Sequence, residues 1–251
     1  MGTTLLAWAM LAAGATAAPA DGAADLARRL DALRLPGPAS VRVRLDLREE
    51  LTLRHTTTKG ESSVRVTVDD NGPDLNVVWE KKGIADADKE EKAAETDSGA
   101  LTPLRDAMRE LDPARLSHLL DQVGTVSSLT KGTPVEEKEE LFESHKARRL
   151  MYRFTPRVSG ADRYFLKSSE GRISVWIDAD GAPLASESVT TIEGKTSRSF
   201  GRYKGTTAVK TLYAVVHGRL RVAEREMDDQ MSRDDGSNVR HTVRHFVIEE
   251  R

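Results

Sequence analysis

From residue 41 to residue 48 apolar and charged side chains alternate without a break. Val41, Val43, Leu45 and Leu47 hold one set of positions, and Arg42, Arg44, Asp46 and Arg48 the other. A two-residue period sends successive side chains to opposite faces of a strand, so residues 41–53 read as a half-buried ribbon whose oily surface needs cover. Val64, Val66 and Val68 repeat the pattern with Arg65 and Thr67 outward, and Asn71-Gly72 supplies the left-handed residues of a tight hairpin before a strand at 75–79. Extended patterns return at 149–154, 172–178, 186–192, 210–216, 220–226 and 239–248. Asp180-Gly181, His217-Gly218 and Asp235-Gly236 put a glycine at three of the joints. Joints this short cannot hold a parallel crossover, so the sheet is predicted to be an antiparallel meander.

Helical signals flank and interrupt this meander. An amphipathic segment at 26–33 precedes the Pro36-Gly37-Pro38 break. Thr102-Pro103 and Asp112-Pro113 each pair a capping residue with proline at the first helical position, opening helices over 104–111 and 114–123. Leu116, Leu119, Leu120 and Val123 give the second helix one apolar face, which a concave sheet would cover. Residues 80–98 carry too many charges to bury and read as a solvated helix or a mobile loop. The expected fold is α+β and mainly antiparallel β: a curved meander with an N-terminal helix and a short helical insertion covering its concave face.

The first twenty residues contain no charged side chain, and an apolar run at 5–13 leads into Ala15-Thr16-Ala17 and Ala18-Pro19-Ala20. This pattern reads as a secretory signal cleaved near Ala17 or Ala20, leaving 21–251 as a single β domain with a charged helix or loop insertion around 80–123. No other apolar run is long enough to span a bilayer, so a soluble periplasmic or secreted protein is expected. The absence of cysteine excludes thiolate chemistry, Cys-ligated metal and an acylated lipoprotein N-terminus. A formal charge of -2 provides no basic field for nucleic acid.

Catalytic and metal motifs do not emerge. Gly194-Lys195-Thr196 echoes a phosphate loop, but Val189 stands where its first glycine belongs. Asp178-Ala179-Asp180-Gly181 is a short fragment of a calcium-loop pattern that a hairpin turn explains equally. His241 and His245 lie about 13 Å apart on a strand, too far to share one ion. Neither G-x-S-x-G nor H-E-x-x-H occurs, so the expectation is a non-enzymatic protein without a cofactor. Arg42, Arg44, Arg48 and Arg54, with Arg148, Arg149, Arg153 and Arg157, suggest a basic stripe. Asp46, Glu49, Glu50, Glu139, Glu140 and Glu143 turn it into a mixed solvated face.

The stretch 172–184, with Trp176-Ile177-Asp178 running into Asp180-Gly181 and Pro183, resembles a segment of bacterial outer-membrane lipoprotein-sorting proteins. The order of elements is similar over most of 21–251. The resemblance implies a half-open β-barrel, partly closed by helices, that holds acyl chains or a lipidated protein; it transfers no individual binding residue. The apolar rows Val41, Val43, Leu45 and Leu47, then Val64, Val66 and Val68, then Ile173, Val175 and Ile177 are the candidate ligand-binding surface. Two readings of these rows stay open: an acyl-chain surface, or an ordinary core packed on the internal helices. The partners to consider are lipid acyl chains or a lipoprotein and, alternatively, another envelope protein bound by a scaffold or regulatory module.

Overall fold

The computed structural model describes residues 21–34, 39–53, 56–71, 74–96, 101–156, 166–195, 202–233 and 238–251. Residues 1–20, read above as a secretory signal, and Pro36-Gly37-Pro38, Arg54, His55, Gly72, Arg157, Thr196 and Asp235-Gly236 lie outside them. Helix α1 (Gly22–Ala32) comes first, followed by β1 (Ala39–Leu53), β2 (Thr56–Asp70) and β3 (Leu75–Trp79). Four helices follow: α2 (Lys81–Thr96), α3 (Pro103–Glu110), α4 (Pro113–Leu120) and α5 (Val123–Leu129). The chain ends in seven strands: β4 (Glu136–Phe142), β5 (His145–Phe154), β6 (Leu166–Ile177), β7 (Pro183–Lys195), β8 (Arg202–Val216), β9 (Arg219–Arg233) and β10 (Asn238–Glu250).

Among the described residues, ten strands form one antiparallel sheet in the order β3-β2-β1-β10-β9-β8-β7-β6-β5-β4. It does not close, and β3 and β4 are its edges. The first hairpins join the long meander through β1 and β10, which pair from Val41 opposite Glu250 to Leu53 opposite Asn238. Hydrophobic matching explains that register. Val43 faces Ile248 and Leu45 faces Phe246, whereas a one-residue slip would turn each apolar row to the wrong side.

Local chemistry sets the helix boundaries. The Asp21 carboxylate accepts from the Ala23 and Ala24 amides at the start of α1, and Asp112 does the same for Ala114 and Arg115 in α4. Thr102 makes no side-chain cap to α3. Its place is taken from α2, where Glu90 Oε2 accepts from Leu104 N at 2.9 Å and Arg105 N at 3.2 Å. The charged stretch from Lys81 to Thr96 is therefore a solvated helix with Ala87 its one buried residue, tied to its neighbour by a carboxylate at a positive helix end. The helix expected to run to Val123 stops at Leu120, because Asp121 turns extended and its carboxylate caps Val123 N to open α5.

Strand β4 is not announced by the sequence. Its run Glu-Glu-Lys-Glu-Glu-Leu-Phe lacks an alternating apolar face, and the turn into β5 uses Glu143 and Ser144 at φ +47° and +71°. As an outermost strand it has one open side, and its charges oppose further strand addition there.

Two apolar clusters occupy the helix-covered face. One joins β1, β2, β10 and Val222 to Ala107, Leu111, Leu116, Leu119 and Leu120 of the α3–α4 region. The other joins Leu150, Tyr152, Ile173, Val175, Ile177 and Leu220 to Leu26, Leu30, Leu33, Val123 and Val126 from the α1 and α5 regions. Gln122 N donates to Leu220 O at 2.8 Å and pins the α4–α5 joint to the sheet. Where β9 parts from β10 below Glu224, Arg221 donates to Ile248 O and Arg219 pairs with Asp70 of β2.

Tyr152 is 2% exposed, and burial pushes its hydroxyl up to about 12, with the charges of Glu137 and Asp21 adding to the rise. The unfolded phenol titrates near 10, so its contribution to stability is complete below pH ~10 and is lost as pH rises through about 12. Urea midpoints should therefore fall between those two pH values, and Tyr152→Phe should flatten that fall. An unchanged pH profile in the variant would refute this assignment.

Candidate ligand-binding groove

The sequence-derived rows lie together on the inner face of the sheet. Val41, Val43, Leu45, Leu47, Val64, Val66, Val68, Ile173, Val175 and Ile177 are each 6% exposed or less. The first seven pack in the cluster with α3 and α4, and the last three in the cluster with α1 and α5. Helices therefore occupy the space in front of all three rows.

Farther along the strands the inner face runs out from under its cover into a groove of about 460 Å³ between the α3–α4 pair and β7–β10. Register identifies its floor. Thr190, Thr207, Asp229 and Thr242 form one cross-strand row, and Ile192, Gly205, Met231 and Arg240 form the next. Antiparallel partners share a face, so both rows lie on the side that buries Phe246 and Ile248. Gly205 leaves room in the second row, where an added Cβ would meet Ile192 Cγ1 at 3.0 Å.

Charge closes one side of the groove. Arg240 bridges Glu49 at 2.6 Å and Asp106 at 3.4 Å, while Arg244 bridges Glu110 at 3.3 Å and Asp229. Asp106 lies in α3 and Glu110 ends it, so the two arginines clamp the helix to the sheet. The Glu49 hydrogen bond holds the Arg240 guanidinium even more firmly in its charged form. The Glu49 side chain is 1% exposed, and its Oε2 has no hydrogen-bond partner among the described residues.

Deeper along the same face lies a polar seam. Arg225 Nη2 donates to Gln122 Oε1 at 2.7 Å and Nε donates to Thr211 Oγ1 at 3.2 Å, while the Ser186 and Tyr213 hydroxyls share a bond of 2.7 Å. Burial lowers the Arg225 pKa and raises that of Tyr213. The seam separates the two apolar clusters.

No protein-family model matches the chain, and no curated protein matches it. The groove must therefore be read from its own chemistry.

The remaining motifs have local roles. Asp178 Oδ1 accepts from Asp180 N and Ala182 N, which makes the Trp176-to-Pro183 stretch a carboxylate-stapled turn. Backbone amides thereby occupy one of the oxygens that a calcium ion would require. His241 and His245 stand on the outer face of β10, each beside a carboxylate of β9, Asp228 at 2.8 Å and Glu224 at 2.7 Å. Arg42, Arg44 and Arg48 share that outer face, where Arg44 lies 3.2 Å from Asp46. Among the described residues no group of three or more His, Asp or Glu is placed to hold a metal ion, and no helix is long and apolar enough to cross a membrane.

Proposed function

We propose that this protein is a non-enzymatic exported binder or carrier, holding a lipid or the acyl chains of a lipidated partner on the inner face of its half-barrel. The observation that carries the reading is the groove between α3–α4 and β7–β10, whose floor sets Ile192, Met231, Thr190, Thr207 and Thr242 beside Asp229 and Arg240, two charges already held in ion pairs. Such a floor supplies dispersion contacts with few directional demands, which suits a chain of methylenes. The buried rows beneath the helices extend the apolar surface, and the Arg240 and Arg244 clamps hold the cover over them. The uncharged leader and the lack of a later spanning segment favour work outside the cytoplasm.

Protein purified from its native envelope should carry lipid that organic extraction and mass spectrometry detect, and the lipid-free form should take up a fluorescent acyl probe. A preparation that contains none and takes up none would defeat the proposal.

A second reading, an envelope scaffold that binds another protein, is favoured by α2. Along sixteen residues it buries only Ala87, leaving most of its charged surface free to meet a partner.

A further inference from the structure

The inward-facing arginines of β9 and β10 are not equivalent. Arg240 and Arg244 each contact two carboxylates within 4.0 Å. Among the described residues Arg225 has none within that distance, only the neutral oxygens of Gln122 and Thr211. Its Nη1 has no partner among those residues either, yet is not sealed from solvent. A cation withdrawn from water without a counter-charge is costly to keep. The surroundings favour an incoming anion: Gln122, Ser186 and Thr211 are 5% exposed or less, and Tyr213 adds a hydroxyl beside the guanidinium.

We propose that Arg225, on the inner face two cross-strand rows in from the floor of the groove, is a head-group site whose guanidinium binds the carboxylate or phosphate of a single-chain anionic amphiphile. The inference rests on the binding function proposed above and specifies the ligand's polar end. From the seam the chain would run over Val209 and Met227, which face each other across β8 and β9, to Met231 and Ile192 in the open part of the groove. Arg225 to Met231 is six residues of strand, about 20 Å of inner face, a span suited to a long acyl chain. Guanidinium binds carboxylate and phosphate through the same paired donors, so both head groups belong in the test.

The experiment measures binding of palmitate, palmitoyl lysophosphatidate and hexadecanol to the lipid-free wild-type protein and to Arg225→Met, by displacement of a fluorescent acyl probe. At least one anionic ligand should bind the wild type about tenfold or more tightly than the alcohol, and Arg225→Met should remove that advantage while leaving hexadecanol affinity in place. Which anion shows the advantage separates a fatty-acid carboxylate from a lipid phosphate. Equal binding of acid and alcohol to the wild type needs no variant to interpret, and it would overturn the head-group site while leaving the groove standing. An anion preference that survives in Arg225→Met would overturn it too. Failure of all three ligands would remove the binding function and this inference together.

Discussion

Truncating Leu45 to Ala should lower the unfolding free energy by about 2–5 kcal/mol, the cost of lost burial plus an unfilled cavity. Leu45 is fully buried in the middle of β1, opposite Phe246 on one side and Val64 on the other. It belongs to the cluster capped by Leu111, Leu116 and Leu120, so the space a smaller residue leaves cannot fill without moving the helices. Leu141→Ala is the matched control. That side chain is 70% exposed on the edge strand, and its loss should stay within about 0.5 kcal/mol. Urea denaturation of both variants checks the pair. A cost at Leu45 no larger than at Leu141 would mean that the helices do not seal this row, and that the apolar face is open surface.

Gly181→Ala should cost on the order of 3 kcal/mol, through two effects that act at one atom. Gly181 adopts φ +82°, where a side chain is strained, and an added Cβ would lie 2.5 Å from the backbone oxygen of Asp25. Helix α1 therefore lies directly against this turn, held also by the ion pair between Asp25 and Arg148 at 2.6 Å. Hydrogen bonding to Arg148 keeps the Asp25 carboxyl below the usual range. Gly218 separates the two effects. It has φ +74° with open space around the added atom, so Gly218→Ala should cost only about 1 kcal/mol of conformational strain. Thermal unfolding should rank the two variants in that order, and equal shifts would show that α1 does not press on the turn.

Much of the architecture was legible because periodicity is a local property. The rows on β1, β2 and β6 faced the helices as their spacing required, and Asp112 with Pro113 marked a helix start. Strand β4 was not legible. Edge strands need no apolar row of their own, since pairing to one neighbour is enough to hold them. The Glu90 cap on α3 was also hidden, because its donor and acceptor groups belong to different helices.

The polar seam was missed for a sharper reason. Simple alternation along β9 from Leu220 and Val222 would put Glu224 inside and Arg225 outside. A register shift opposite Leu212 and Tyr213 leaves Ala223 as an extra residue and reverses the faces beyond it. Arg225 and Met227 consequently point toward the helices, and Glu224 and Glu226 toward the outside. Inward serines and threonines of β7 and β8 were the remaining clue, but strands with hydroxyl residues on both faces carry no readable parity.

Alone, the sequence determined a two-sided antiparallel ribbon with short turns, an apolar face in need of cover and helices able to supply it, because each of these follows from neighbours a few residues apart. Only the tertiary structure decided which part of the sheet's inner face remains uncovered, and that Arg225 is turned inward without a carboxylate within 4.0 Å among the described residues. Those outcomes depend on register between distant strands, and for Arg225 the single bulged residue Ala223 sets the facing.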